Sequence, residues 1–289
     1  MKKTIAILVL ANAQVGSLRK FAREFDPERY RFYVHLDARR DMAAYLGDEP
    51  MPEHVRFVEN RLPIFWGGFN MIRATEILAN EALKDEAHFA FSLVSDDSFP
   101  LLADRKLYEA ISTQPLRIDT WAIGPEHAHY PRYSRFFDFD CAHGSPRYLA
   151  VEERYIQLSD FDRYERLRRL MERGKSQLSI YAGSQWWTLP RDILQECLAC
   201  LHDDANLRES FEFSAIPDEI VFQTLTRRLV EADRAIPGTG MVYDFARDPK
   251  PFVFSRIDEL KPDLINGRLF IRKVVPDDAF LSAILELNQ

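Results

Sequence analysis

Cysteine is scarce in this chain: its 289 residues include only Cys141, Cys197 and Cys200. Three thiols build no disulfide framework, and the usage suits a reducing compartment. Cys197 and Cys200 form a C-x-x-C, but no second pair accompanies it. The surrounding run from Arg191 has the pattern of an amphipathic helix, so two packed helical thiols are expected rather than a zinc or redox site. A surplus of positive charge is also missing. Lysine and arginine number 38 against 45 acidic residues, for a net charge of −7. Global electrostatics therefore offer nothing to nucleic acid, and an anionic ligand needs a local basic cluster. No apolar run is long enough to span a membrane, so at most peripheral membrane contact is expected. Repeats and low-complexity linkers are absent too.

What is present is an ordinary globular balance, 46% hydrophobic and 29% charged, which argues against disorder. The length suits one large domain with a substantial core. Lys2-Lys3, the run Ile5 to Leu10 and Ala11-Asn12-Ala13 imitate a short signal peptide. The run is at the short limit for one, and a buried first β-strand is the better reading.

The first half alternates strand-like and helix-like segments. Strands are expected at 5–10, 31–37, 55–59, 88–95 and 118–123, with helices at 16–25 and 69–83. This alternation predicts an α/β fold with a mostly parallel sheet, in which ligands bind beyond the carboxyl ends of the strands. Asp37 and the pair Asp96/Asp97 stand at such ends. An aromatic, arginine-rich stretch at 126–175 includes a charged helix from about Glu152 to Arg173. A strand is expected over Gly183–Leu189, followed by the helix from Arg191 and another beginning near Asp218.

Several constellations have chemical potential. Glu219 stands at a helix start, where acidic residues ordinarily serve the helix dipole. The same position fixes a carboxylate in space, as a general base requires. Trp186 and Trp187 are adjacent on an expected strand and so face opposite sides. One reading packs both in the core; the other leaves one as a platform for a sugar ring. Lys250, Arg256, Arg268, Arg272 and Lys273 read either as a solvated face or as a diphosphate clamp. Asp37 and Arg39 read as a turn or as a nucleoside contact. Asp96/Asp97, Asp138/Asp140 and Asp160/Asp162 are acidic pairs that a metal-dependent transferase could use.

These segments occur in a recognisable order. Ile5–Ala11, Val34-His-Leu-Asp-Ala-Arg39, Trp66-Gly-Gly-Phe-Asn-Met-Ile-Arg-Ala74, Leu93-Val-Ser-Asp-Asp-Ser-Phe-Pro-Leu101, Gly183-Ser-Gln-Trp-Trp-Thr-Leu189, Pro217-Asp-Glu219 and Leu269-Phe-Ile-Arg-Lys273 together resemble the core-2/I-branching β-1,6-N-acetylglucosaminyltransferase family, which is related to the protein xylosyltransferases. The resemblance implies a GT-A-like fold in a single domain, with residues 1–125 as a nucleotide-binding half and 126–289 as an acceptor and diphosphate-binding half. It implies inverting transfer of GlcNAc or a similar sugar from a UDP-sugar to a saccharide or glycoconjugate acceptor, without a metal or other cofactor. Glu219 falls on the family's base and Lys273 on its diphosphate lysine, with Lys250 as a second cation. Asp37 falls beside the nucleoside, and Arg39, Trp66, Arg73 and Asp97 complete the expected donor site. Trp186, Trp187, Arg132 and Arg135 are the expected acceptor contacts. The family's S-G-x-D-[FY]-P reads Ser95-Asp-Asp-Ser-Phe-Pro100 here, with Asp97 one position early. Animal members have membrane anchors and many cysteines, so a bacterial-type, cytoplasmic relative acting in surface polysaccharide synthesis is expected, with the inner membrane face as one place for it to work. The alternatives are a metal-dependent transferase using Asp96/Asp97 and a non-catalytic carbohydrate-binding protein.

Overall fold

The computed structural model describes residues 3–12, 14–140, 161–231 and 234–287. Cys141, Asp160 and the first part of the expected helix from Glu152 lie outside the described residues. The described strands are, in chain order, β1 (Thr4–Ala11), β2 (Tyr30–Leu36), β3 (Val55–Phe57), β4 (His88–Ser95), β5 (Ser98–Pro100), β6 (Arg117–Ile118), β7 (Trp121–Ile123), β8 (Ile180–Ala182), β9 (Trp187–Pro190), β10 (Met241–Val242) and β11 (Phe270–Arg272).

The main sheet has the order β3-β2-β1-β4-β9-β6. The pairs β3–β2, β2–β1 and β1–β4 are parallel; β9 runs antiparallel to both β4 and β6. This is the mostly parallel α/β sheet flanked by helices that the alternation predicts, and it is consistent with a GT-A-like fold. Every residue of β1 is buried, because helices cover both faces of a parallel sheet. That is why its sequence is continuously aliphatic rather than alternating. The helices Val15–Glu24 and Asn70–Ala82 form where expected, to within a residue or two at each end. Among the described residues, no helix is long and apolar enough to cross a membrane.

Three local expectations change. The strand expected over 118–123 is split between two sheets, as β6 and β7. Asp119 sits at the break, where its carboxylate accepts from the Thr239 N–H at 3.1 Å. The strand expected over 183–189 starts only at Trp187. Its first four residues form a turn, in which Gln223 Nε2 donates to the Ser184 carbonyl at 2.6 Å. The helix expected from Asp218 opens as a single 3-10 turn, Pro217–Glu219, and becomes α-helical only at Val221–Leu229.

A small sheet, β10-β11-β5, joins the C-terminal segment to the end of the main sheet. Its antiparallel β5–β11 ladder sets Arg272 opposite Ser98. The helix Phe161–Arg173 and the stretch around Asp138 are tied down by buried charge instead. Glu212 accepts from Arg73, Arg163 and Arg166 at 2.7–2.8 Å, and Arg163 also holds Asp138. Burial opposes ionisation of Glu212, but the Arg166 hydrogen bond and the three guanidinium charges outweigh it and hold the carboxyl below its usual range. The stability this contributes is therefore present above the unfolded carboxyl's range and is lost as pH falls through the depressed folded value. Glu212→Ala, which strands buried cations, should cost about 3–5 kcal/mol in a denaturant titration at pH 7. The gap from the parent should narrow on acidification; an equal gap at pH 3 would refute this account.

Candidate active site

Beyond the carboxyl ends of β1, β2 and β4 lies a cleft of about 820 Å³, ample for a small-molecule ligand. It is lined by Glu219, Lys250, Lys273, Arg272, Asp97, Asp37, Arg39, Trp66 and Trp186, among others. Residues far apart in sequence thus meet as the strand-end rule predicts.

The floor is held by Asp96. Its Oδ2 accepts from the N–H groups of Asn12 and Gln14, both at 2.9 Å, and from the Tyr45 hydroxyl at 3.1 Å. The side chain thereby locks the end of β1 to the start of the next helix. Asp97 points to the cations: Lys273 Nζ lies 3.4 Å and Arg272 3.5 Å from its carboxylate. The β5–β11 ladder causes this, and the Val274 N–H donates to the Asp97 carbonyl at 3.0 Å. Arg272 also stacks on Trp186, its guanidinium carbon 4.7 Å from the ring centroid. Arg256 and Arg268 are exposed and do not line the cleft.

Glu219 is presented by a strained turn. Ile216, which precedes Pro217, has φ 52° and ψ 53°. For a β-branched residue this left-handed conformation costs about 1–3 kcal/mol and persists only where its surroundings dictate it. Those surroundings are visible. The Ile216 N–H donates to the Gly67 carbonyl at 3.0 Å, and the Gly183 N–H donates to the Glu219 carbonyl at 2.9 Å. Gly67 itself has φ 78°. A Cβ at Gly68 would lie 2.2 Å from Asp140 Oδ1, which accepts from the Asn70 N–H at 2.9 Å. Trp66-Gly67-Gly68-Phe69 is therefore a backbone support for the Glu219 turn. Arg132 Nη1 donates to Glu219 Oε2 at 2.5 Å, fixing a carboxylate whose side chain is 39% exposed.

The chain matches the family model described as Core-2/I-Branching enzyme over residues 5–242. It belongs to the core-2/I-branching enzyme family. That membership makes it a glycosyltransferase in the general sense, with a nucleotide-sugar donor and a saccharide acceptor. A comparison with curated proteins gives no match. The family match ends before Lys250 and Lys273, so the case for those two rests on their place in the cleft.

Some expected contacts of this core-2/I-branching chain are corrected. Trp187 is turned away from the cleft into the core, 2% exposed, with its ring 5.0 Å from that of Phe222. It opens β9, whose first three residues are all buried. Trp186 does line the cleft, but it is 5% exposed and backs Arg272, so it offers little face to a sugar. Arg73 does not line the cleft: Glu212 holds it beside a second pocket. Arg135 is exposed and outside the cleft lining. Asp37 lines the cleft, yet its carboxylate is already engaged. It accepts from the Arg39 side chain, at 2.6 Å for the shortest contact, and from the Arg39 and Ile64 N–H groups. Burial opposes its ionisation, but these bonds outweigh it and hold the carboxyl below its usual range.

The sequence reading missed the aromatic rim. Trp66, Trp121 and Phe245 line the cleft with 60%, 43% and 56% exposure, unusual for rings of this size. Only Trp66 was expected there. The others follow no motif, although both sit in or just after short strands.

Asp218 was also unforeseen. Its Oδ1 is sealed from solvent with no hydrogen-bond partner. Burial, then the adjacent Glu219 charge, pushes the carboxyl up to about 7. A raised carboxyl favours the fold below the unfolded value, near 4, and loses that advantage as pH rises through about 7. Asp218→Asn should therefore raise the Tm by several degrees at pH 8 and change it little at pH 4. A thermal scan with no pH-dependent gap would contradict the buried neutral acid.

Proposed function

We propose that the protein is an inverting glycosyltransferase that moves GlcNAc or a similar sugar from a UDP-sugar to a saccharide hydroxyl, without a metal ion. The observation that carries this reading is a single cleft in which the carboxylate Glu219 and the cations Lys250, Arg272 and Lys273 meet. A base and an anion clamp are the two parts such a displacement needs.

In this mechanism Glu219 takes the proton of the acceptor hydroxyl. The oxygen attacks the anomeric carbon on the face opposite the diphosphate, the bond to the diphosphate breaks, and the configuration inverts. Negative charge grows on the leaving UDP, where Lys273, Lys250 and Arg272 stabilise it. Fixed cations aimed at developing charge act strongly in a cleft that excludes water. Asp97 serves them as an internal counter-ion until the diphosphate arrives. Arg132 holds Glu219 in place. The exposed faces of Trp66, Trp121 and Phe245 suit the apolar faces of sugar rings and of a base.

Two features support the metal-free form. Asp96 spends its Oδ2 on three protein donors, and two cations stand by Asp97, where they would repel a metal. Within this proposal residues 1–125 contribute most of the donor half, and 126–289 the base and the diphosphate cations. The enzyme would act in the cytoplasm, in synthesis of a bacterial surface polysaccharide or glycoconjugate.

Glu219→Gln should lower turnover by about two decades or more, with donor affinity little changed; near-normal turnover would sink the base assignment. Calorimetric titration with UDP and UDP-sugars should give binding that EDTA does not alter and that Lys273→Ala weakens about tenfold or more. Binding that requires a divalent ion would move the site to Asp96/Asp97. Loss of all nucleotide binding in the parent protein would leave a carbohydrate-binding role.

A further inference from the structure

A second pocket, of about 660 Å³, shares no lining residue with the cleft. Its size is that of a small-molecule site. The same stretch of chain borders both: Leu62 and Arg73 line this pocket, while Ile64, Trp66 and Met71 line the cleft.

One wall is a stripe of the helix Asn70–Ala82. Arg73, Glu76, Ile77 and Asn80 follow one another at i, i+3, i+4 and i+7 and so share a face. From Arg73 to Asn80 that face runs about 10 Å. Leu198, Ala199 and His202 of the helix Arg191–Asp203 form another wall.

Arg208 joins Arg73 at one end. Both guanidiniums lie over the buried ring of Phe69, 5.4 and 5.5 Å from its centroid. Arg208 donates to both oxygens of Glu76, at 2.6 and 2.8 Å. Arg73 donates to Glu212 at 2.8 Å and to Asn70 Oδ1 at 3.1 Å. These bonds orient both groups, yet each guanidinium has five N–H donors and uses two of them here. The side chains are 31% and 30% exposed, so their remaining donors are open to a ligand. Charge is left over as well. Glu76 is the one carboxylate in the lining, against two guanidiniums. Glu212 is buried outside the lining and divides its charge among Arg73, Arg163 and Arg166. A single further carboxylate balances the surplus. Beyond the cations, Leu62, Ile77 and Leu198 offer an apolar surface and Asn80 an amide. An apolar wall with a few fixed polar groups suits the C–H face and the hydroxyls of a sugar ring.

We propose that this pocket binds a carboxylated sugar of a saccharide chain, its carboxylate accepting from Arg73 and Arg208 and its ring lying on Leu62, Ile77 and Leu198. The choice of a saccharide rests on the transferase reading above. A sugar held here is not the one that reacts, so the pocket selects an acidic chain at a point removed from transfer.

The test titrates the full-length protein with glucuronic acid, glucose and inorganic phosphate, following the arginine Nε–H signals by NMR. Glucuronic acid should shift the signals of Arg73 and Arg208 and bind at least about tenfold more tightly than glucose. It should also bind more tightly than phosphate, and saturating UDP should not displace it. Arg208→Gln, which keeps a donor for Glu76, should weaken it about tenfold. Ala199→Glu, which sets a like charge at an exposed position of the wall, should do the same. The shifts in the unmutated protein decide the matter independently of how the variants fold. Glucuronic acid that leaves both arginines unmoved, binds no better than glucose, or is displaced by UDP would overturn the proposal. Phosphate binding as tight as that of glucuronic acid would mean an anion site without sugar recognition, and would overturn it too. Failure of the transferase reading has a separate sign, a parent protein that binds no nucleotide.

Discussion

The antiparallel pairing of β5 with β11 is the contact on which the cleft depends. It sets Arg272 opposite Ser98 and so brings two C-terminal cations to the end of a strand formed nearly two hundred residues earlier. Without it the main sheet would still present Asp37, Asp96 and Asp97 at its carboxyl edge. That edge would be wholly acidic apart from Arg39, and hostile to a diphosphate. With it, Asp97 becomes a counter-ion that keeps Arg272 and Lys273 together.

Glu219 is positioned by different means. The turn at Ile216 adopts a conformation that its side chain disfavours, and it is held by main-chain bonds to Gly67 and Gly183. Gly68 lets the Asp140 carboxylate approach the start of the Asn70–Ala82 helix. Behind these stands the Glu212 cluster, in which Arg73, Arg163 and Arg166 join three separate stretches of chain. Such a network adds little stability over a well-packed apolar core, but removing one partner is costly. Its consequence is geometric: the stretch from Arg132 to Asp138 has one place to sit. The strain at Ile216 can then be sustained at the point where Glu219 enters the cleft.

Much of the fold was legible in the sequence because it rests on local patterns. Ile5–Leu10, Arg31–Leu36 and His88–Ser95 are apolar runs that only a doubly covered sheet accommodates. Helical spacing of Met71, Ala74, Leu78 and Ala82 marks the helix behind them. The strand-end rule then gathers Asp37, Asp96 and Asp97 at one edge, and the motif order gives the family. Less of the site could be read in this way. Alternation says that Trp186 and Trp187 face opposite sides, but not that Phe222 claims one and Arg272 the other. Nothing local distinguishes Arg73, whose carboxylate partner lies far along the chain, from an arginine free to meet a phosphate.

The sequence by itself determined the parallel sheet, its burial and the family to which the chain belongs, since periodicity and motif order are properties of neighbouring residues. Tertiary structure alone decided that Arg132 meets Glu219 and that Asp97 meets Lys273. Each of these depends on a partner brought close only by folding, and hydrogen bonds and ion pairs act over a few ångströms whatever the separation in sequence.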